Sequence, residues 1–307
     1  MYDTIIIGAG IGGLTAGIYA ARKHMKFELI STEFGGQFND SGEVLNYPGI
    51  VKTTGIEFSN IMKEQMKFNN FDMKQETVIS IGGEPGNYIV KTNNSSYNTK
   101  TVIIASGARA RKLNIEGENE FFNKGLTYCA ICDGPLFADK DVAIIGSGSS
   151  ALEAVSFLKD IAKKIYLVIR KDRMKGHEYL QEEVLNTSNV EIIYNAPTKK
   201  IYGDVMVEGL VYEKDGKEHN LEVQGIFAQI GRIPNTEFAK NFIDCDEHSY
   251  IKVDKFLNTS KKGIFAVGDC ADVTDHQYAI SAGQGCSALI EASRFISELS
   301  TSKKTNK

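Results

Sequence analysis

The apolar positions of the chain fall in short runs that open directly onto glycine. Residues 3–7 end a largely apolar strand pattern, and Gly8-Ala9-Gly10-Ile11-Gly12-Gly13 follows without a break. Small and apolar residues then recur at helical spacing from 14 to 22, and a β-type run occupies 27–30. The same order returns later. A strand pattern at 141–145 leads into Gly146-Ser147-Gly148-Ser149-Ser150-Ala151, apolar helical positions run from 152 to 158, and another strand fills 165–169. Two further apolar runs end in turns, 101–105 before Ser106-Gly107 and 263–267 before Gly268-Asp269. Strands alternating with helices in this way predict an α/β fold with parallel sheets. The two glycine turns stand too far apart for one continuous mononucleotide repeat. The expected arrangement is two Rossmann-like dinucleotide-binding domains of three-layer ββα form, the second inserted in the first, with 1–111 and 243–307 making one domain and 112–242 the other.

Strand, turn and helix together are the context in which such glycines cradle a phosphate; a lone pattern reads as well as a tight loop. Gly8 allows the sharp turn, Gly10 lets backbone approach a pyrophosphate, and Gly13 lets the helix pack closely. Gly146, Gly148 and Ala151 take the corresponding places in the second cradle. In each, the phosphate meets the positive end of a helix. An acid near the end of the next strand would hold a ribose hydroxyl, and Glu33 is the candidate after the first cradle. After the second, the strand runs instead into Arg170, Lys171, Asp172, Arg173, Met174 and Lys175. Cations there can hold the 2′-phosphate of NADP, and the plain alternative is a solvated basic loop. Asp269, at the end of the strand pattern 263–267, could accept hydrogen bonds from a sugar-like hydroxyl.

Composition narrows the function further. A net charge of −4 argues against a nucleic-acid binder, which needs a concentrated basic face. No apolar run is long enough to cross a bilayer, and a strand pattern begins just after Met1, so the expectation is a cytoplasmic protein without a leader. The five cysteines are odd in number and irregularly spaced, unlike a secreted disulfide framework. Cys129-Ala130-Ile131-Cys132 is the exception, and Asp133 follows it at once. A two-residue spacer keeps both sulfurs on one turn, as thiol–disulfide exchange through a mixed disulfide requires. A zinc site would want four ligands, but Cys245, Cys270 and Cys286 are isolated and the histidines scattered, so no metal is expected. Asp133 could carry protons if burial raised its pKa, and could equally serve as a turn or cap residue.

Several markers, in order along the chain, resemble the low-molecular-weight thioredoxin reductases of bacteria and archaea: Gly35-Gly36-Gln37, Asn46-Tyr47-Pro48-Gly49, Ala105-Ser106-Gly107-Ala108, the segment from Cys129 to Gly134, Pro234-Asn235, Gly268-Asp269, and Ala279-Ile280-Ser281-Ala282 leading to Gly285. The resemblance covers nearly the whole chain. It implies FAD on the first cradle, NADPH on the second, a homodimer, and thioredoxin or a thioredoxin-like protein as partner. By position, Gly8, Gly10, Gly13, Glu33, Gln37, Asn46, Ala105, Gly107, Asp269 and Ala279 would serve FAD, while Gly146, Gly148, Ala151, Arg170, Lys171 and Lys175 would serve NADPH. Cys129 and Cys132 would form the redox disulfide, with Asp133 as proton donor and acceptor. The family also implies rotation about two linkers, placed here near 110–114 and 237–245.

The chain departs from the family at instructive places. The usual histidine, two arginines and third arginine of the basic signature are Ile169, Arg170, Lys171 and Lys175; Ser149 replaces an asparagine, and Gln277-Tyr278 replaces arginine-glutamine. Lysine lacks the planar two-pronged grip of arginine. These changes leave a second reading in which ferredoxin or another non-nicotinamide donor supplies the electrons. A peroxiredoxin-specific flavoprotein reductase would carry an added thioredoxin-like region ahead of the first strand, which begins at once here. A ferredoxin:NADP reductase would lack the Cys-x-x-Cys. A non-catalytic flavin-binding redox sensor would share the same sequence features.

Overall fold

In the computed structural model, which describes residues 1–41 and 43–305, the chain divides into two compact units, Met1–Arg109 with Ile233–Lys307, and Ala110–Arg232. The first unit opens with β1 (Tyr2–Ala9), α1 (Ile11–Arg22) and β2 (Phe27–Phe34). Ile5, Ile6 and Ile7 are all buried, because β1 is covered on both faces and cannot alternate apolar with polar. After a loop, α2 (Gly55–Phe68) begins with a full capping box: Thr54 Oγ1 accepts the Glu57 N–H while Glu57 Oε2 accepts the Thr54 N–H. Phe58, Met62 and Met66, at i, i+4 and i+8, form its buried face. Four strands complete this part, β3 (Met73–Gln75), β4 (Val78–Glu84), β5 (Asn87–Thr92) and β6 (Ser96–Ile104).

The second unit carries β7 (Leu126–Thr127), α3 (Ala130–Asp133), β8 (Asp141–Ile145), α4 (Ser149–Leu158), β9 (Lys164–Val168), α5 (Glu178–Leu185) and β10 (Val190–Ile193). Then come β11 (Thr198–Gly203), β12 (Val207–Lys214), β13 (Lys217–Glu222) and β14 (Gly225–Ala228). Among the described residues, five strands form a parallel sheet in the order β7-β14-β8-β9-β10. Val142 and Ile144 point into a core shared with α4 and α5, whereas Ala143 and Ile145 pack with Ile201, Val207 and Leu210 of the antiparallel β11-β12-β13 sheet. The alternation along β8 therefore serves two apolar faces, and the unit is three layers: sheet, sheet, helix.

The chain then returns to the first unit with β15 (Ile264–Ala266) and α6 (Tyr278–Thr305). Among the described residues the first sheet has seven strands in the order β3-β2-β1-β6-β5-β4, with β15 parallel to the end of β6. Ile6, Leu14, Leu29, Ile103 and Leu289 make the core under the helices, and Ile5, Ile7, Ile30, Val102 and Tyr88 the core on the other face. Both units thus have the expected Rossmann-like build.

Candidate active site

The first cradle is shaped by what its glycines exclude. Gly8 has φ +106°, and a Cβ there would lie 2.2 Å from the carbonyl oxygen of Ala105. At Gly13 a Cβ would come within 1.8 Å of Gly8 O. Gly10 differs: its backbone is extended, and a Cβ on it would meet no protein atom within 4 Å. Nothing in the protein's own packing calls for glycine at that position, so the space it leaves suits a bound group. Gly10 is also the N-cap of α1 and offers no side-chain oxygen to the first amides of the helix. The capping box of α2 supplies what α1 lacks; the amides of α1 face a place fit for phosphate.

Around this turn the first unit gathers other predicted residues. Gly35 N donates to Ala9 O at 2.9 Å, which brings the Gly35-Gly36 turn beside Gly10. Gln37 Nε2 donates to Asp269 Oδ2 at 2.8 Å and to Ala108 O at 3.2 Å. The Asp269 carboxylate is nearly buried, with His276 Nδ1 3.2 Å from its other oxygen. Gly107 takes φ +65° and its carbonyl accepts the Asn235 N–H. Ala279 is exposed on the first turn of α6. Glu33 lies within β2, which continues four residues past Ile30, and its side chain is exposed. The departures at 277 and 278 prove to be wired into the same cluster. Gln277 Oε1 accepts from Asn46 Nδ2 at 3.2 Å, and the Tyr278 hydroxyl donates to Gln37 O at 3.0 Å while its ring packs on Phe38.

The second cradle repeats the geometry with one change. Gly146 has φ +154° and its Cβ would strike Gln229 O at 2.2 Å, whereas a Cβ at Gly148 would meet nothing within 4 Å. Gly148 likewise caps α4 without a side-chain bond. The third place is Ala151, whose methyl stands where the first cradle has only a hydrogen. The basic loop is folded onto the cradle: Lys175 N and Gly176 N both donate to Ser147 O, and His177 N donates to Ser149 Oγ at 3.3 Å. Ser149, a departure from the family pattern, is one of the pins. Arg170 and Lys171 follow the buried Ile169 and are exposed.

Cys129 and Cys132 form a disulfide with Cα atoms 5.3 Å apart. Cys129 is the N-cap of α3, and its Sγ accepts the Cys132 N–H at 3.2 Å. The disulfide and the second cradle leave the same edge of the same sheet. Thr127 and Ile144 both pair with Phe227, so β7 and β8 end one strand apart, about 10 Å at ordinary strand spacing. Gln229 joins them: its N–H donates to Ile145 O and its side-chain amide to Tyr128 O at 3.1 Å. The other end of Tyr128 is held by the buried Glu118, whose Oε1 accepts the phenol at 2.6 Å and whose two oxygens accept the N–H groups of Leu113 and Asn114. Burial and then that hydrogen bond push the phenol well above the ordinary tyrosine range. Glu118 and Gln229 have no motif in the sequence; the fold brings them to Tyr128, the residue before Cys129.

Burial also raises the Asp133 carboxyl above the ordinary aspartate range, and a hydrogen bond from Thr127 offsets part of the rise. The folded state thus favours the protonated acid. Its contribution to stability is complete below the unfolded value of about 3.9 and is lost as pH rises through the higher folded value. Asp133→Asn is therefore expected to lower disulfide turnover about 10²–10⁴-fold without lowering the melting temperature at alkaline pH. Melts and rates on one preparation check this, and a variant that lost stability and rate together would overturn it. Among the described residues, no group of acidic, histidine or cysteine side chains could hold a metal ion, and no helix is long and apolar enough to cross a membrane.

Residues 2–285 match the family model described as pyridine nucleotide-disulphide oxidoreductase. Among curated proteins the chain is 38% identical over 301 residues to alkyl hydroperoxide reductase F of Staphylococcus aureus, covering 96% of this chain and 59% of that protein. It is 37% identical over 294 residues to a Bacillus subtilis protein named NADH dehydrogenase, covering 95% and 58%. The chain thus spans somewhat under three-fifths of the length of these relatives. A solved structure of thioredoxin reductase from Streptococcus pyogenes superposes with a TM-score of 0.92 at 33% identity, covering 97% of this chain and 99% of that one.

Proposed function

Since the chain belongs to the pyridine nucleotide-disulphide oxidoreductase family, we propose that it takes electrons from NADPH, by way of FAD, to Cys129–Cys132 and thence to the disulfide of a thioredoxin-like protein. In this reading the first unit binds FAD, the second binds NADPH and carries the disulfide, and the protein works as a homodimer. The observation that carries it is the pair of glycines, Gly10 and Gly148, whose missing side chains leave space that no protein atom uses. When bound, a flavin supplies the passage between hydride chemistry and thiol chemistry. The chain's own residues do the rest. The amides of α1 and α4 receive phosphate, Asp269 and Gln37 orient polar groups of the cofactor, and Cys129, Cys132 and Asp133 exchange a disulfide and its protons.

The test is direct. Purified protein should be yellow, should bleach anaerobically with NADPH, and should generate free thiols on oxidised thioredoxin. A protein that stayed colourless after reconstitution with FAD, or that bleached only with reduced ferredoxin, would overturn the reading. The relatives named for alkyl hydroperoxide reduction favour a second acceptor, a thiol–disulfide protein serving hydroperoxide removal. Comparing the two protein disulfides at equal concentration decides between them by kcat/KM.

The basic loop, pinned on its cradle, supports NADPH over NADH. Arg170→Ala is expected to raise KM for NADPH about 10- to 100-fold, the worth of a charge-assisted hydrogen bond, and to leave KM for NADH unchanged. Equal rises for both cofactors would show that the loop does not read the 2′-phosphate.

A further inference from the structure

We propose that Thr127 is the positioning residue for the proton carrier of the dithiol: its hydroxyl engages Oδ2 of Asp133, so that protons travel on Oδ1. This rests on the disulfide-exchange reading above. Thr127 is the last residue of β7 and is buried. Its Oγ1 accepts the Cys129 N–H at 3.1 Å and donates to Asp133 Oδ2. A hydroxyl has one proton to give. With the cysteine amide on its acceptor side, that proton is directed at the carboxylate, and each hydrogen bond of the chain polarises the next. Asp133 N donates back to Cys129 O at 3.2 Å, which closes a ring through Cys129, Thr127 and Asp133. The carboxyl is thereby held in one orientation whether charged or neutral. When it is protonated, Oδ2 still accepts from Thr127 and the proton sits on Oδ1; when it is ionised, nothing has to turn.

The surroundings leave this pair in control. Neither β7 nor the short turn Gly134–Phe137 carries a charged side chain, and the packed helix α4 carries only the exposed Glu153. Within the turn Cys129 and Cys132 are the titratable neighbours of Asp133, and Tyr128, between Thr127 and Cys129, gives its phenol to Glu118. Burial and the Thr127 hydrogen bond are accordingly the influences that set the carboxyl, in opposite directions.

The exchange requires such a carrier. One thiol of the reduced pair gives its proton to Oδ1 of Asp133, and the resulting thiolate attacks one sulfur of the partner's disulfide, forming a mixed disulfide and expelling the partner's first thiolate, which takes that proton from Oδ1. The remaining cysteine, losing its proton, attacks its neighbour's sulfur and expels the second thiolate. The Cys129–Cys132 bond has formed and the partner's bond has broken. One electron pair and two protons have passed from the cysteine pair to the partner, and Oδ1 of Asp133 conveys those protons.

The experiment compares Thr127→Val, which keeps the shape and removes the hydroxyl, with Thr127→Ser, which keeps the hydroxyl. On the full chain, the Asp133 carboxyl carbon is followed by NMR in ¹³C-aspartate-labelled protein, assigned through Asp133→Asn, and the reduced pair is alkylated with iodoacetamide across pH. Thr127→Val is expected to move the carboxyl midpoint to higher pH, to shift the alkylation profile with it, and to slow turnover about 10- to 100-fold. Thr127→Ser restores all three. If Thr127→Val does not fold, Thr127→Ala, which also lacks the hydroxyl, gives the same reading. An unchanged Asp133 midpoint without the hydroxyl, or a serine variant that fails to restore it, overturns the proposal. Wild-type protein inert toward thioredoxin would instead sink the assigned function, and the carboxyl titration would still decide the role of Thr127.

Discussion

Replacing Cys129 and Cys132 together by serine is expected to reduce the transfer of electrons to a protein disulfide to background, with flavin content and melting temperature nearly unchanged. Serine has the size of cysteine but cannot store an electron pair in a reversible bond, so no partial activity survives through the same route. The structural cost is small for two reasons. The disulfide closes a loop with a sequence separation of only 3, and short loops constrain the unfolded chain least. The amide of residue 132 also keeps an acceptor, since a serine oxygen at 129 can cap the turn as the sulfur does now. The measurement is thiol release on the partner under NADPH, alongside a spectrum and a melt. Residual turnover well above background would place the electron path elsewhere. The single variant Cys132→Ser should instead stall with the partner joined to Cys129, a covalent complex visible on a non-reducing gel.

A second large effect separates two glycines three positions apart. Gly13→Ala would set a methyl 1.8 Å from Gly8 O, against backbone that cannot retreat, and is expected to yield protein without a folded first unit. Gly10→Ala meets no protein atom and asks for no unusual backbone angle, so its fold should stand while FAD is lost. Absorbance of bound flavin and circular dichroism distinguish the outcomes: colourless and unfolded at 13, colourless and folded at 10. A yellow Gly10→Ala protein with full flavin would mean that the open space serves no ligand. The same pair of results is expected for NADPH at Gly146 and Gly148.

What the sequence made legible follows from how each feature is encoded. Strands such as β1 and β8, buried on both faces, are continuous apolar runs, and glycines forced by backbone contact cannot hide; both cradles could be read directly. Strands whose outer face meets water were not legible. β13, Lys-Glu-His-Asn-Leu-Glu, carries no apolar alternation and is held by pairing with β12. The end of β2 is polar for the same reason, which is why the β-type run reads as ending at Ile30 while the strand continues through Glu33 to Phe34. Around the disulfide, Thr127, Tyr128, Glu118 and Gln229 are ordinary residues until register and a single helical turn bring them together. Gln277 and Tyr278 show the opposite case. In the sequence they are losses from a family pattern; in the structure they hold Asn46 and Gln37.

Cys270 has no exposed surface and its thiol donates to the carbonyls of Val267 and Ile104, with burial pushing its pKa upward. A member of a disulphide oxidoreductase family thus keeps one sulfur sealed as a protonated thiol in the buried turn Gly268–Cys270. Oxidative scrambling has no route to it while the native state holds, so wrong pairings that involve Cys270 are confined to molecules that have already begun to come apart.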